Sequence, residues 1–195
     1  MAFFRTVSPS ETPPAIDGDG VVLRWPQHSD YQAWASLREL SRDFLTPWEP
    51  TWPLDDLTRG AFRRRLKRYA DDQRADLSYS FFVFRKEDDV LVGGLTIANV
   101  RRGVAQAGSL GYWMGQPYAG RGYMSAAVRA VATFSFGALS LHRLEAACIP
   151  TNKASARLLE KCGFKYEGLA RQYLCINGRW HDHLLFARLR DDPAP

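Results

Sequence analysis

Tyr112-Trp113-Met114-Gly115-Gln116-Pro117-Tyr118-Ala119-Gly120-Arg121-Gly122-Tyr123-Met124-Ser125 is the stretch on which the reading of this chain turns. It begins inside an apolar run from Ala107 to Met114 that reads as a strand. It ends in a helix from Tyr123 to about Gly137, with Met124, Ala127, Val128 and Val131 on the inner face. Gly120 and Gly122 let the backbone pass close to a ligand, and a helix start offers unpaired N–H groups and a positive dipole end. A pyrophosphate suits that geometry, with Arg121 adding charge beside it. A tight turn into a packed helix needs the same glycines, so Gly-x-Gly alone leaves both readings open. No Gly-Lys-Ser/Thr follows, which excludes a Walker A loop. The preceding strands read as antiparallel and no acidic residue ends the next strand, which argues against a dinucleotide fingerprint.

Upstream, Tyr79 to Arg85 and Val90 to Val100 form a predicted hairpin across Lys86-Glu87-Asp88-Asp89, and Gly93-Gly94 suggests a bulge. Val21 to Trp25 reads as a short strand. Ser29 then caps a helix carrying Tyr31, Trp34 and Leu37 that fades near Phe44. Three prolines between Leu45 and Pro53 forbid regular helix there. A second helix is predicted over Leu54 to Gln73, with Phe62, Leu66 and Tyr69 on one face. Its other faces carry Arg59, Arg63, Arg64, Arg65, Lys67 and Arg68, a solvated surface or a docking surface for an acidic partner.

Downstream, Arg143 to Ile149 reads as a strand and Asn152 to Cys162 as a helix, stopped by the Schellman pair Gly163-Phe164. A long hairpin, Lys165 to Ile176 and Arg179 to Leu189, turns on Asn177-Gly178. The expected fold is a single mixed α/β (α+β) domain: a central, largely antiparallel sheet of six or seven strands flanked by four helices. Residues 1–19 are expected to be a flexible arm, 20–190 the domain and 191–195 a tail.

Length and composition agree. The 22.1 kDa chain of 195 residues is 46% hydrophobic and 24% charged, which excludes a disordered, collagenous or coiled-coil protein. Scaling gives a folded surface of roughly 9,300 Å² against roughly 32,000 Å² unfolded, enough burial for one core. No apolar stretch is long enough to cross a bilayer, and the N-terminus lacks the apolar segment of a signal peptide. Three cysteines without metal-ligand spacing point to a reduced, cytoplasmic protein. A net charge of +5 is compatible with acidic partners such as phosphates or RNA.

Two further constellations carry polar chemistry. In Pro150-Thr151-Asn152-Lys153-Ala154-Ser155, Thr151 or Asn152 caps the helix, and Asn152 and Ser155 share one side of it. In Trp180-His181-Asp182-His183, the two histidines share a strand face opposite Asp182. A third metal ligand is not evident, so no metal is expected.

Taken together, Gly120-Arg121-Gly122-Tyr123-Met124-Ser125, Asn152-x-x-Ser155-x-x-Leu158 and Lys161-Cys162-Gly163-Phe164 resemble the GNAT N-acetyltransferase superfamily in order and spacing. Phe44-Leu45-Thr46-Pro47-Trp48-Glu49-Pro50, His142-Arg143 and Tyr173 to His183 resemble its Rim-type branch of ribosomal-protein N-terminal acetyltransferases, specifically the RimJ-like alanine acetyltransferases. The likeness spans Val21 to Leu189. Two positions depart from the pattern. Pro117 stands where the superfamily usually has Gln or Arg, with Gln116 one place early. Leu174 stands where some sister-branch relatives carry a glutamate base.

The resemblance implies acetyl-CoA as co-substrate, with its pantetheine arm beside Tyr112, Trp113 and Met114 and its pyrophosphate on the amides from Gly120 to Ser125. Asn152 would reach the arm. It implies direct attack of an amine on the thioester, with a backbone N–H near Trp113 facing the oxyanion and Ser155 protonating the thiolate. Tyr166 and Tyr173 are weaker candidates for that proton. Glu49, beside Trp48, is expected to position or deprotonate the amine, and Asp182 to hold it or brace the site.

The expected acceptor is the N-terminal alanine of a ribosomal protein. A small amine such as an antibiotic, amino acid or polyamine is the alternative, and an RNA-associated binding module using Arg59 to Arg68 is the third reading. Ribosome contact, a monomer or homodimer, and no membrane or sequence-specific nucleic acid complete the expected partners.

Overall fold

The computed structural model describes residues 15–193 and 195. Eight strands form one sheet: β1 (Ile16–Gly18), β2 (Val21–Arg24), β3 (Tyr79–Arg85), β4 (Val90–Arg101), β5 (Ala107–Met114), β6 (Arg143–Cys148), β7 (Lys165–Ile176) and β8 (Arg179–Leu189). Their spatial order is β1-β2-β3-β4-β5-β6-β8-β7. Every neighbouring pair is antiparallel except β5 and β6, which run parallel. Five α-helices accompany the sheet: α1 (Tyr31–Leu40), α2 (Arg42–Leu45), α3 (Arg59–Arg74), α4 (Tyr123–Phe136) and α5 (Lys153–Lys161).

Among the described residues the sheet therefore has eight strands, not six or seven, and its flanks carry five α-helices, not four. The extra strand is β1, three residues too short to show a period, which pairs with β2 inside the stretch expected to be an arm. Residues 1–14 of that expected arm lie outside the described residues. The fifth helix arises because Ser41 leaves helical geometry (φ −104°, ψ 10°) and divides α1 from α2. At the expected C-terminal tail, Asp192 accepts from the Leu189 amide at 2.9 Å and pairs with Lys165 at 2.5 Å.

Two layers of helix sandwich the sheet. On one side, Val21, Leu23, Phe81, Val83, Val92, Leu95 and Ile97 pack against Ala127, Val128 and Val131 of α4. On the other, Phe82, Phe84 and Leu91 meet Trp34 and Leu37 of α1 and Phe62 of α3. Alternate residues of β3 thus feed both cores, and Ser80 to Phe84 are all buried. The second helix of the sequence reading starts at Arg59, not Leu54. The Thr58 hydroxyl caps it by accepting from the Ala61 amide at 3.2 Å, while Leu54 stays fully exposed in the preceding turns.

Local signals are realised where the backbone demands them. Asn177 and Gly178 both have positive φ (50° and 74°), as a two-residue hairpin turn requires. Gly163 (φ 80°) ends α5 with Phe164 N–H donating to Leu159 and Gly163 N–H to Glu160, the paired bonds of a Schellman stop. The register of β3 on β4 shifts between Val83 and Phe84, leaving Val92 as the extra residue beside Gly93.

At that bulge a Cβ on Gly93 would lie 2.5 Å from the Trp113 carbonyl oxygen, and one on Gly94 would strike the Trp113 indole nitrogen. Gly93→Ala must push β4 off β5. Overpacking of this kind costs about 1–3 kcal/mol, a fall of roughly 2–12 °C in thermal midpoint for a domain of this size. Circular dichroism melts of the two proteins check it.

Candidate active site

The site begins where two strands part. β5 and β6 pair at Ala107–Arg143, Gly108–Leu144 and Ser109–Glu145, and then diverge. Beyond Ser109, β5 stays on β4 through Met114, and β6 stays on β8 through Cys148. Leu110 to Met114 therefore has a bare edge facing a wedge-shaped gap inside the sheet. Gly115 N–H donates to the Val92 carbonyl at 2.8 Å, and the Trp113 carbonyl lies over Gly93. In an antiparallel ladder, N–H and C=O alternate in direction. Trp113 therefore spends its backbone groups on β4, and Tyr112 and Met114 present theirs to the gap. The backbone N–H expected near Trp113 to face an oxyanion therefore has Tyr112 and Met114 as its candidates, not Trp113 itself.

Side chains alternate in the same way. Tyr112 points to the α4–α5 side, where its hydroxyl meets the Ser155 hydroxyl at 2.7 Å. Burial pushes the Tyr112 phenol well above its ordinary pKa, partly opposed by the Ser155 bond. Cys148, buried at the end of β6, has its thiol pushed up by the same cause. Asn152 is the cap of α5, so the open choice between it and Thr151 resolves: its Oδ1 accepts from the Ser155 amide at 3.0 Å. The cap holds Ser155 on the first turn with its hydroxyl against Tyr112.

At the wide end of the gap the chain passes through a 3₁₀ turn, Gln116–Tyr118, into α4. Gly120 (φ 74°) and Gly122 (φ 87°) are left-handed, and a Cβ on either would meet nothing within 4 Å. Their requirement is conformational, and the space above them is open. Among the described residues, no group accepts from the amides of residues 120 to 125; the first bonded amide is Ala126, to Gly122 at 3.0 Å. Six unpaired donors at the positive end of a helix have the makings of an anion cradle. Arg121 is exposed beside it, and Met124 buries its side chain beneath while leaving its amide above. Pro117 lies in the turn before these amides and leaves the loop from Gly120 intact.

The opposite face of β5 carries an aromatic and charged box. Trp113 points toward α1, where the Arg38 guanidinium lies 5.1 Å from its ring and 4.0 Å from that of Trp52. Arg38 is 6% exposed and donates to both oxygens of Glu49, at 2.8 and 2.6 Å. The Trp52 indole N–H donates to Glu49 as well, at 2.8 Å. Three donors on one carboxylate suit an anchored anion better than a proton acceptor. Arg38 Nε has no partner among the described residues. Trp48 is partly exposed on the turn before Glu49.

Asp182 stands apart from this box: it accepts from the Gln172 amide at 2.8 Å and braces the bulge between Ala170 and Leu174. Tyr166 and Tyr173 are exposed on β7, the edge strand. His183 is buried, with Nδ1 at 2.9 Å from the His181 carbonyl oxygen. Among the described residues, no group of three or more His, Cys, Asp or Glu is placed to hold a metal ion, and no helix is long and apolar enough to cross a membrane.

Two residues of the site, Arg38 and Ser41, and the latch made by the turn residue Asn177 are not signalled by local sequence pattern. Arg38 interrupts the buried stripe Trp34-Leu37-Ser41, and only the burial of that stripe makes its charge a signal. Ser41, fully buried, accepts from the Gln116 amide at 2.9 Å and ties α1 to the end of β5. Asn177 latches the last hairpin to the proline loop: Thr51 donates to its Oδ1 at 2.7 Å, and its Nδ2 donates to the Thr46 carbonyl at 3.3 Å.

This arrangement has relatives. A sequence profile described as Acetyltransferase (GNAT) domain matches residues 21–165. A probable N-acetyltransferase of Bacillus subtilis, YjcK, is 34% identical over 91% of this chain and 98% of its own. The [Ribosomal protein uS5]-alanine N-acetyltransferase of Escherichia coli is 32% identical over 91% of each chain. Mycobacterium smegmatis RimJ, solved in complex with CoA-disulfide, superposes with a TM-score of 0.84 at 31% identity, covering 92% of this chain and 87% of that one. With the parted strands, the amide cradle and these likenesses in hand, the chain is a member of the GNAT acetyltransferase family and an N-acetyltransferase.

Proposed function

We propose that the enzyme transfers the acetyl group of acetyl-CoA to the α-amine of a protein N-terminus, alanine foremost, on a ribosomal protein in the cytoplasm. The observation that carries the cofactor half is the unpaired cradle of residues 120–125 at the mouth of the gap. Those amides fit a pyrophosphate, and the bare edge of β5 fits an amide-bearing arm lying alongside as an extra strand. Asn152 keeps its Nδ2 for that arm. The uS5-alanine specificity of a relative matched over nine-tenths of this chain supports the acceptor half.

The residues divide the work as follows. A gap-facing N–H, that of Tyr112 or Met114, supplies the hydrogen bond to the thioester oxygen as negative charge develops there. The amine nitrogen bonds to the acetyl carbon as the carbon–sulfur bond breaks. Ser155 donates its proton to the departing sulfur and regains one from water through the Tyr112 hydroxyl, while the amine nitrogen releases its surplus proton to water. Glu49, held by Arg38 and Trp52, orients the incoming amine and is not its base.

An α-amine with pKa near 7.8 is roughly 15% neutral at pH 7, against about 0.04% for lysine, a difference of ~3.5 kcal/mol. A site without a dedicated base therefore favours an α-amine. The Asn177 latch supports a second reading, a small amine, because it joins the proline loop to the hairpin tip and narrows the way in for a peptide.

Incubation with acetyl-CoA and an alanine-initiated peptide is expected to give N-terminally acetylated peptide by mass spectrometry. Acetylation of spermidine or free amino acids with the peptide untouched would select the small-amine reading. Gly122→Asp places a carboxylate and a strained φ in the cradle, and calorimetry should then detect no coenzyme A binding. Ser155→Ala is expected to lower kcat by about 10²-fold or somewhat less, with KM for acetyl-CoA little changed.

A further inference from the structure

We propose that the N-terminal half of α3 is a docking surface for RNA, its first phosphate seated in a cavity between α3 and the turn before α1. That cavity, about 210 Å³, is lined by His28, Tyr31, Arg59, Phe62 and Arg63. Phe62 is buried beneath it, and the Arg59 guanidinium stacks on the Tyr31 ring at 4.4 Å. Stacking occupies the face of the guanidinium and leaves its N–H edge for a ligand.

Four of the surrounding charges lack internal compensation. Arg64, Arg65 and Arg74 are paired with Asp55, Asp56 and Asp71. Asp30, the carboxylate in the turn, is taken by both arms of Arg24. Among the described residues no carboxylate pairs with Arg59, Arg63, Lys67 or Arg68. The order of charge along α3 also opposes its own dipole. The first turn has no acidic residue, the arginines crowd the positive end, and Asp71 and Asp72 lie toward the negative end, where Arg74 offsets Asp71. A helix arranged for its own stability would reverse that order. An external polyanion corrects it.

Arg59, Arg63 and Lys67 recur every four residues, so they form one row with steps of about 6 Å, and Arg68 flanks it. A row calls for a linear polyanion, whereas a free phosphate would use the cavity end alone. Three of the four unpaired cations are arginine, whose planar fork matches phosphate oxygens in pairs. This favours RNA over an acidic protein segment. The surface includes none of the residues given a part in acetyl transfer, so the two readings fail separately.

The test is fluorescence anisotropy with a fluorescein-labelled RNA hairpin, titrated at several salt concentrations. The triple variant Arg63→Gln/Lys67→Gln/Arg68→Gln is expected to bind at least about tenfold more weakly, with a log–log salt slope reduced by about two to three. Its thermal midpoint and its affinity for coenzyme A should match the parent, which shows that the fold is intact. The proposal is overturned if the parent does not bind the hairpin at low salt, or if the variant keeps both affinity and slope. It is equally overturned if polyglutamate of matched charge binds the parent as tightly as the RNA.

Discussion

Every feature of the site depends on one interruption in hydrogen bonding: β5 and β6 stay together for three residue pairs and then separate. Parallel strands that part leave one edge of main chain without a partner, and buried main chain without a partner is costly. The cost is limited here because β4 holds the other edge of β5 through Met114, and the Tyr112–Ser155 bond ties the two sides across the mouth. Gly93 and Gly94 make that hold close, since any Cβ there would strike Trp113. Deprived of its neighbour beyond Ser109, β5 becomes a rigid rail with open valences on one side.

The rail has two different walls because side chains alternate along it. Tyr112 joins the wall made by α4, α5 and the cradle, and Trp113 joins the wall made by α1 and the proline loop. Arg38 is the keystone of the second wall. Buried, stacked between two indoles and forked onto Glu49, it converts a flexible loop with three prolines into a fixed surface. Removing one partner from such a pair leaves an uncompensated buried charge, usually worse than never having built it.

Much of this was legible because it is written locally. The left-handed glycines of the cradle, the Asn-Gly turn and the Schellman stop are demands of the main chain on single residues, and the sequence states them in place. Parity was not legible. Whether Trp113 or Met114 faces the gap depends on register against β4, which no residue of β5 specifies alone. Arg38, Ser41 and Asn177 were hidden for a related reason: Ser41 meets Gln116 and Asn177 meets Thr46, contacts that only the closed sheet creates. Leu54 to Leu57 had helical composition, but the Thr58 cap fixed a later start. The strand Ile16–Gly18 was too short to announce itself.

The division of the rail into two walls has a consequence for how such a protein changes over generations. The cradle draws on residues 120–125 and α5, and the facing box on residues 38–52, so no side chain serves both. Replacements in α1 or the proline loop can remodel one wall while the other keeps its shape. On the proposed function, a lineage built on this plan can try out new acceptors without relearning how to hold its donor.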